Sequence, residues 1–316
     1  MEEASPSVRS HPSWALLGLL VYVGAFLVLG GLLTFPAYVW LGAGTVPLDS
    51  VLHRVVGVTA LVLLPLYLAG ARCVDRRTLG FGCARRAFAG AAAKGFVLGA
   101  ALVTPLVAGF LLLGVRVVTW STAPPAFAAA GLAAAALAAA LLIGIVEEAY
   151  FRGALLGALR RSLPVWAAAC ITSVLYAALH FVGGPVSDGD VRWLAGLASI
   201  GRSDFELDAF LALTAGGLLL AAMRLRYDHV ALGAGFHAGW VWVMKLAQEY
   251  TDVNPESPLL FLEGAYAGTM GYLGLAWIAV LGGAWYAWVR RRGPSAAEAR
   301  GAPGSQRAAV RCSGSA

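Results

Sequence analysis

From Ala126 to Val146 the chain carries no charged side chain, and then Glu147, Glu148, Ala149, Tyr150, Phe151 and Arg152 follow directly. A run of about 20 apolar residues is long enough to cross the hydrocarbon core of a bilayer as a helix. In that medium every backbone polar group must be satisfied internally, so only helices and closed barrels span it. The segment is therefore expected to be a membrane helix, and it carries two acids and an arginine where hydrocarbon should surround it. Ionisable groups in that setting are costly and mark a functional site.

The apolar pattern recurs along the chain. Hydrophobic residues make up 59% of it and charged residues 13%, against about 25% charged in a soluble domain. Eight segments are predicted to span: Trp14–Phe35, Val51–Ala71, Lys94–Val118, Phe127–Leu156, Pro164–Val182, Leu207–Met223, Val230–Ala247 and Gly268–Val289. The expected fold is all-α, a polytopic transmembrane helical bundle of about eight spans. A length of 316 residues would allow two domains, but the apolar segments fill 14–292 and leave one bundle. The flanking tails, 1–13 and 293–316, are rich in Ser, Ala, Gly and Pro and are expected to be disordered. The first apolar run, Trp14 to Tyr38, is too long for a signal-peptide core and lacks a cleavage site, so it reads as a retained span.

Basic residues alternate between loops. Arg72, Arg76, Arg77, Arg85, Arg86 and Lys94 follow the second segment, Arg160 and Arg161 the fourth, Arg224 and Arg226 the sixth, and Arg290, Arg291 and Arg292 the eighth. The two long loops after odd segments are acidic, with Asp188, Asp190, Asp204 and Glu206 in one and Glu249, Asp252, Glu256 and Glu263 in the other. By the positive-inside rule both termini are cytosolic and the protein is a multi-pass protein of the cell membrane. The net charge of +6 is nearly all arginine, since Lys94 and Lys245 are the only lysines. Its placement in short loops fits a topology signal and not a nucleic-acid surface, so lipid is the expected surrounding and no nucleic-acid partner is expected.

Cys73, Cys83, Cys170 and Cys312 include no Cys-x-x-Cys pair and give no disulfide framework or zinc finger. Within Arg192–Gly201, Trp193, Leu194, Leu197 and Ile200 stand at helical spacing, which predicts a short helix at the outer interface. The alanine-rich, lysine-poor composition suggests a GC-rich bacterial genome.

On a helix, residues four apart share a face, so Glu148 and Arg152 are placed to pair. Glu147 points about 100° away and is left without that partner. The spacing divides the two acids into a structural ion and a carboxylate base. A base needs a held water, and two histidines on later apolar segments are candidates to hold it: His180 on the fifth and His237 on the seventh. Small residues around His237 (Ala231, Ala234, Gly235, Ala238 and Gly239) would admit a close helix neighbour, and Ala128–Ala140 gives the fourth segment a similar surface. Counted at about 1.5 Å per residue from the cytosolic ends, Glu147 lies roughly 15–20 Å deep, His180 roughly 25 Å and His237 roughly 10–15 Å. His53 and His229 read as interfacial residues.

These motifs, in this order and on separate spans, resemble the CPBP family of intramembrane proteases, the CAAX-protease and bacteriocin-processing family. Its pattern is Glu-Glu-x-x-x-Arg, then Phe-x-x-x-His, then His-x-x-x-Asn or Asp. Glu147, Glu148 and Arg152 match the first motif, and His180 the second with Tyr176 in the aromatic position. His237 opens the third, with Val241 where the family has Asn or Asp. Leu79-Gly80-Phe81-Gly82 is similar to a weaker family feature. The resemblance runs from about Ala130 to Val243. It implies a glutamate-dependent endopeptidase acting on a peptide or membrane-protein substrate, with no metal or other cofactor. In it Glu147 activates water, His180 positions it, His237 donates to the oxyanion, and Glu148 and Arg152 hold the first motif in shape.

Three other readings compete. The fold could serve as an inactive scaffold or immunity-type membrane partner, a reading supported by Val241. Glu147, His180 and His237 could instead be three zinc ligands with an open fourth position, although His-Glu-x-x-His is absent. An intramembrane acid would also suit a proton-coupled transporter, but there is no repeat and few polar residues line any pathway.

Overall fold

The computed structural model describes residues 12–41, 45–119, 126–184, 193–201, 205–264 and 270–292. The expected C-terminal tail, most of the N-terminal one, and Asp188, Asp190, Arg192, Asp204 and Cys312 lie outside the described residues. The protein is an all-α polytopic bundle. Its helices are α1 (Pro12–Trp40), α2 (Leu48–Gly70), α3 (Arg85–Leu112), α4 (Ala126–Glu147), α5 (Leu156–Leu159), α6 (Val165–Leu179), α7 (Ala195–Ile200), α8 (Leu207–Tyr227), α9 (Ala231–Tyr250) and α10 (Tyr272–Arg292). A π-helical segment, Glu148–Leu155, joins α4 to α5 without a break.

Each of the eight expected segments contains a helix, and among the described residues six helices are long and apolar enough to cross a membrane: α1, α2, α3, the continuous Phe127–Leu159 helix, α8 and α10. The other two fall short for different reasons. α6 has 15 residues, about 22 Å at the helical rise, and stops at His180 ahead of Gly183, whose φ is 97°. α9 has 20 residues but carries Lys245, Gln248 and Glu249. The third segment also differs from expectation. Gly114, with a φ of 66°, ends α3, so Arg116–Val118 forms a strand, β1, antiparallel to β2 (Thr251–Val253).

The predicted short helix exists as α7. It packs on α1, where a Cβ at Gly31 would meet Leu197 at 2.6 Å and Ile200 at 3.0 Å. Ser199 ties it back to the chain after His180: its hydroxyl donates to the Gly184 carbonyl (2.6 Å) and its carbonyl accepts from the Gly184 N–H (3.1 Å).

The loops sort to two ends of the bundle. At the arginine-rich end Arg160 and Arg224 both pair with Asp228 (3.4 and 2.9 Å), and Arg224 donates to the Thr78 carbonyl at 3.0 Å. Asp228 caps α8 in the left-handed region, at φ 56°. Partial burial raises its carboxyl, and the hydrogen bonds and charges of Arg224 and Arg160 outweigh that, holding it below its ordinary range. At the acidic end buried Arg116 pairs with buried Glu263 and donates to Thr251, locking β1, β2 and the segment before α10 together. Burial pushes the Glu263 carboxyl up, only partly opposed by Arg116.

α3 and α9 are in close backbone contact. A Cβ at Gly95 or Gly99 would overlap the Leu232 or Phe236 carbonyl of α9, and one at Gly235 or Gly239 would overlap the Ala92 or Phe96 carbonyl of α3. Small residues thus let two backbones touch, as membrane helices require when apolar side chains gain nothing over lipid. α4 meets α9 in the same way: a Cβ at Gly144 would sit 2.7 Å from the Ala234 carbonyl. Trp242 also donates its indole N–H to the Ala133 carbonyl at 3.1 Å. α9 is therefore fixed from two sides.

Candidate active site

The Glu-Glu-x-x-x-Arg motif straddles the start of the π-helical segment, in the C-terminal half of the Phe127–Leu159 helix. Such widened turns concentrate at functional sites. Here it turns nearly every residue from Glu148 to Leu159 into the bundle. Gly153 and Gly157 lie against the carbonyls of Leu79 and Thr78, where a Cβ would come within 2.8 and 2.7 Å. The Leu79–Gly82 loop, singled out in the sequence, thus buttresses this helix. Its Gly80 carbonyl also accepts from the Val230 N–H at the start of α9 (3.1 Å).

Glu148 and Arg152 form the expected pair, with Nη1 to Oε1 at 2.7 Å and both side chains 1% exposed. Arg152 also stacks its guanidinium over Tyr176, 4.6 Å from the ring centroid. Gly233 of α9 leaves room for the carboxylate, since a Cβ there would lie 3.2 Å from Glu148 Oε2. Glu148 has a second partner that helical spacing did not indicate: His237 Nδ1–H donates to the same Oε1 at 3.2 Å. That bond directs Nε2 of His237 toward Glu147, whose Oε2 is 3.8 Å away.

Glu147 is only half-buried, at 28% exposure, and its Oε2 has no hydrogen-bond partner among the described residues. His180 caps α6 and donates Nδ1–H to the Tyr176 carbonyl at 2.7 Å, which makes Nε2 the acceptor nitrogen of the neutral ring. The Tyr176 ring lies edge-on between the two histidines, with centroids 4.5 Å from His180 and 6.2 Å from His237.

Two cavities meet here. The first, about 610 Å³, is walled by α1, α2 and the π-helical segment, with Gly57, Ala60, Tyr150 and Phe181 in its lining. The second, about 380 Å³, lies between α4, α8, α9 and α10 and is lined by His237, Trp240, Val241, Lys245 and Gln248. Glu147 and His180 belong to both linings. All three predicted site residues are therefore brought together in the lining of the second cavity.

Further residues line these two cavities. His53, read as interfacial, is exposed and also lines the first cavity, with Nδ1 2.7 Å from the Asp49 carbonyl. Trp240 is buried on the second cavity, and its indole nitrogen has no partner among the described residues. Val241 lines the same cavity. Among the described residues no group of three His, Cys, Asp or Glu side chains is arranged to hold a metal ion.

Apolar helices long enough to cross a membrane enclose this acid–imidazole cluster, the arrangement of a multi-pass membrane protein. The family model described as type II CAAX prenyl endopeptidase Rce1-like matches residues 129–243, from α4 into α9, and so supports the CPBP, or CAAX-protease, family for this chain. That stretch holds all three motifs. Curated proteins and solved structures yielded no match.

Proposed function

We propose that the chain is an intramembrane endopeptidase that hydrolyses peptide bonds of a membrane-associated protein or peptide, with Glu147, His180 and His237 as catalytic residues. In this reading the catalytic core, about 130–243, sits in one bundle (14–292) of the cell membrane, with both tails cytosolic. The observation that carries it is the meeting of Glu147 and His180 at the wall shared by two cavities, with His237 opposite.

A water between Glu147 and His180 donates one hydrogen bond to the carboxylate and one to Nε2. Glu147 takes the proton as the oxygen attacks the scissile carbonyl carbon. His237, held through Nδ1 by Glu148, faces the developing oxyanion with Nε2 and donates to it. Trp240 can supply a second donor where Val241 offers none. The proton on Glu147 then passes to the departing amine as the C–N bond breaks. Glu148 and Arg152 neutralise each other and fix the His237 ring.

Val241 favours one alternative, a scaffold of the same fold with little or no hydrolysis. The test is cleavage of a quenched-fluorescent peptide library by detergent-purified protein, beside Glu147→Gln and Val241→Asn, with and without chelator. The endopeptidase reading expects activity that is lost in Glu147→Gln, insensitive to chelator and raised in Val241→Asn. A single oxyanion donor is worth about 100- to 1,000-fold in comparable hydrolases. No cleavage by any of the folded proteins would leave the scaffold.

A further inference from the structure

The second cavity extends from Glu147, His180 and His237 along α9 to Lys245 and Gln248. Lys245 is the only Lys or Arg on α9. It is half-buried, and among the described residues it makes no ion pair or hydrogen bond. Glu249, one turn further on, is not within ion-pair distance of it. The other basic residue near that end, Arg116, is consumed by Glu263. The surrounding loop is acidic, with Asp252 and Glu256 beyond Glu249. The cavity is lined mostly by apolar side chains such as Leu213, Leu220, Phe236 and Ile278. A half-buried ammonium with no counter-charge against such a wall is unfavourable, and an anionic group in the cavity relieves it.

We propose that Lys245 is the recognition residue for a carboxylate on the peptide that occupies this cavity. The inference rests on the endopeptidase reading for the identity of the ligand as a peptide. His237 and Lys245 are separated by about 12 Å along α9 at the helical rise. An extended peptide advances about 3.3–3.6 Å per residue. The carboxylate therefore lies about three or four residues from the bond presented to His237. A side-chain acid and a chain-terminal carboxylate offer Lys245 the same chemistry.

The test is binding, so that it does not depend on turnover. Full-length Glu147→Gln protein in detergent is titrated with labelled apolar nonapeptides of alanine and leucine. One pair of peptides differs as free C-terminal acid against C-terminal amide. A second pair, both amidated, carries Glu against Gln at each internal position in turn. A charge-assisted hydrogen bond predicts that the acid of at least one pair binds about 10- to 100-fold more tightly than its neutral partner. The pair that shows the ratio identifies the source of the carboxylate. Lys245→Met in the same background should bring that ratio to about one, Lys245→Arg should keep it, and Lys245→Glu should turn the preference toward peptides carrying lysine. Equal binding of acid and neutral peptides in both pairs, or a ratio that survives Lys245→Met, overturns the proposal. Hydrolysis by the protein with native Glu147 is read separately. A Lys245-dependent ratio without cleavage fails the endopeptidase reading alone, and cleavage without any ratio fails the Lys245 proposal alone.

Discussion

The His237 ring stands between two adjacent carboxylates, with Nδ1 3.2 Å from Glu148 Oε1 and Nε2 3.8 Å from Glu147 Oε2. Neighbours in sequence thus have different environments: Glu148 is 1% exposed and paired to Arg152, whereas Glu147 is 28% exposed on a cavity wall. Replacement by Gln should separate their roles. Glu147→Gln is expected to abolish hydrolysis and leave the unfolding midpoint near wild type. Glu148→Gln leaves Arg152 buried without its counter-ion, and breaking such a pair costs about 3–5 kcal/mol. Thermal unfolding in detergent beside the cleavage assay distinguishes them, and a Glu148→Gln protein as stable as wild type would contradict the structural role.

Gly57 offers a way to fill the first cavity without disturbing the fold. It lines the cavity, and no heavy atom outside its own helix turn stands within 4 Å of where its Cβ would be. Gly57→Leu should hold or raise stability, since glycine within a helix costs roughly 0.5–1 kcal/mol relative to alanine. If the first cavity receives substrate, kcat/KM should fall by about 10-fold or more, as a bulky group removes apolar contact. Unchanged kinetics would place the substrate elsewhere.

The α3–α9 contact predicts a contrast between glycines. Gly235→Ala would push a methyl group into the Ala92 carbonyl, whereas Gly90→Ala on α3 meets nothing within 4 Å. Overpacking of this kind costs about 1–3 kcal/mol, occasionally more. Gly235→Ala should therefore lower the unfolding midpoint and, because His237 rides on the same helix, depress turnover as well. Gly90→Ala should do neither.

Buried Glu263 gives the acidic end of the bundle a pH dependence. Its carboxyl is pushed above its ordinary value, first by desolvation, with Arg116 opposing. A carboxyl that holds its proton more tightly when folded contributes stability that is fully present below its unfolded pKa and is lost as pH rises through its folded one. In Arg116→Gln the opposing charge is gone, so the protein should lose about 3–5 kcal/mol at neutral pH and recover part of it in acid. Unfolding midpoints compared at pH 5 and pH 8 test the sign. A larger loss at pH 5 than at pH 8 would refute it.

The candidate site is legible in the sequence because hydrocarbon makes each charge expensive. Glu147, Glu148, Arg152, His180 and His237 stand out against apolar runs, and helical spacing alone pairs Glu148 with Arg152. The second partner of Glu148 was not legible, since His237 reaches it from a helix 89 positions away. Nor was the π-helical segment, since Glu148, Arg152 and Gly153 within it stand at spacings that an ordinary α-helix also fits. The strand pair Arg116–Val118 and Thr251–Val253 was hidden because three-residue strands leave too little alternation to read. His53 and Lys245 sit near helix ends, where charge and polarity are common, so only the cavities single them out.

Chain length between Glu147 and Gly153 is as constrained as residue identity. The i→i+5 pattern of the π-helical segment accommodates a residue that an α-helix of the same rise would not. Deleting Ala149 would let the helix close to its ordinary pitch and, because the widened turn holds the extra residue, leave the helix on either side in register. Gly153 and Gly157 would therefore stay on the Leu79 and Thr78 carbonyls, and the change would fall on the turn itself, where Glu148 and Arg152 would stand three apart instead of four. A single-codon deletion there thus disturbs the buried ion pair beneath Glu147 while sparing the helix around it.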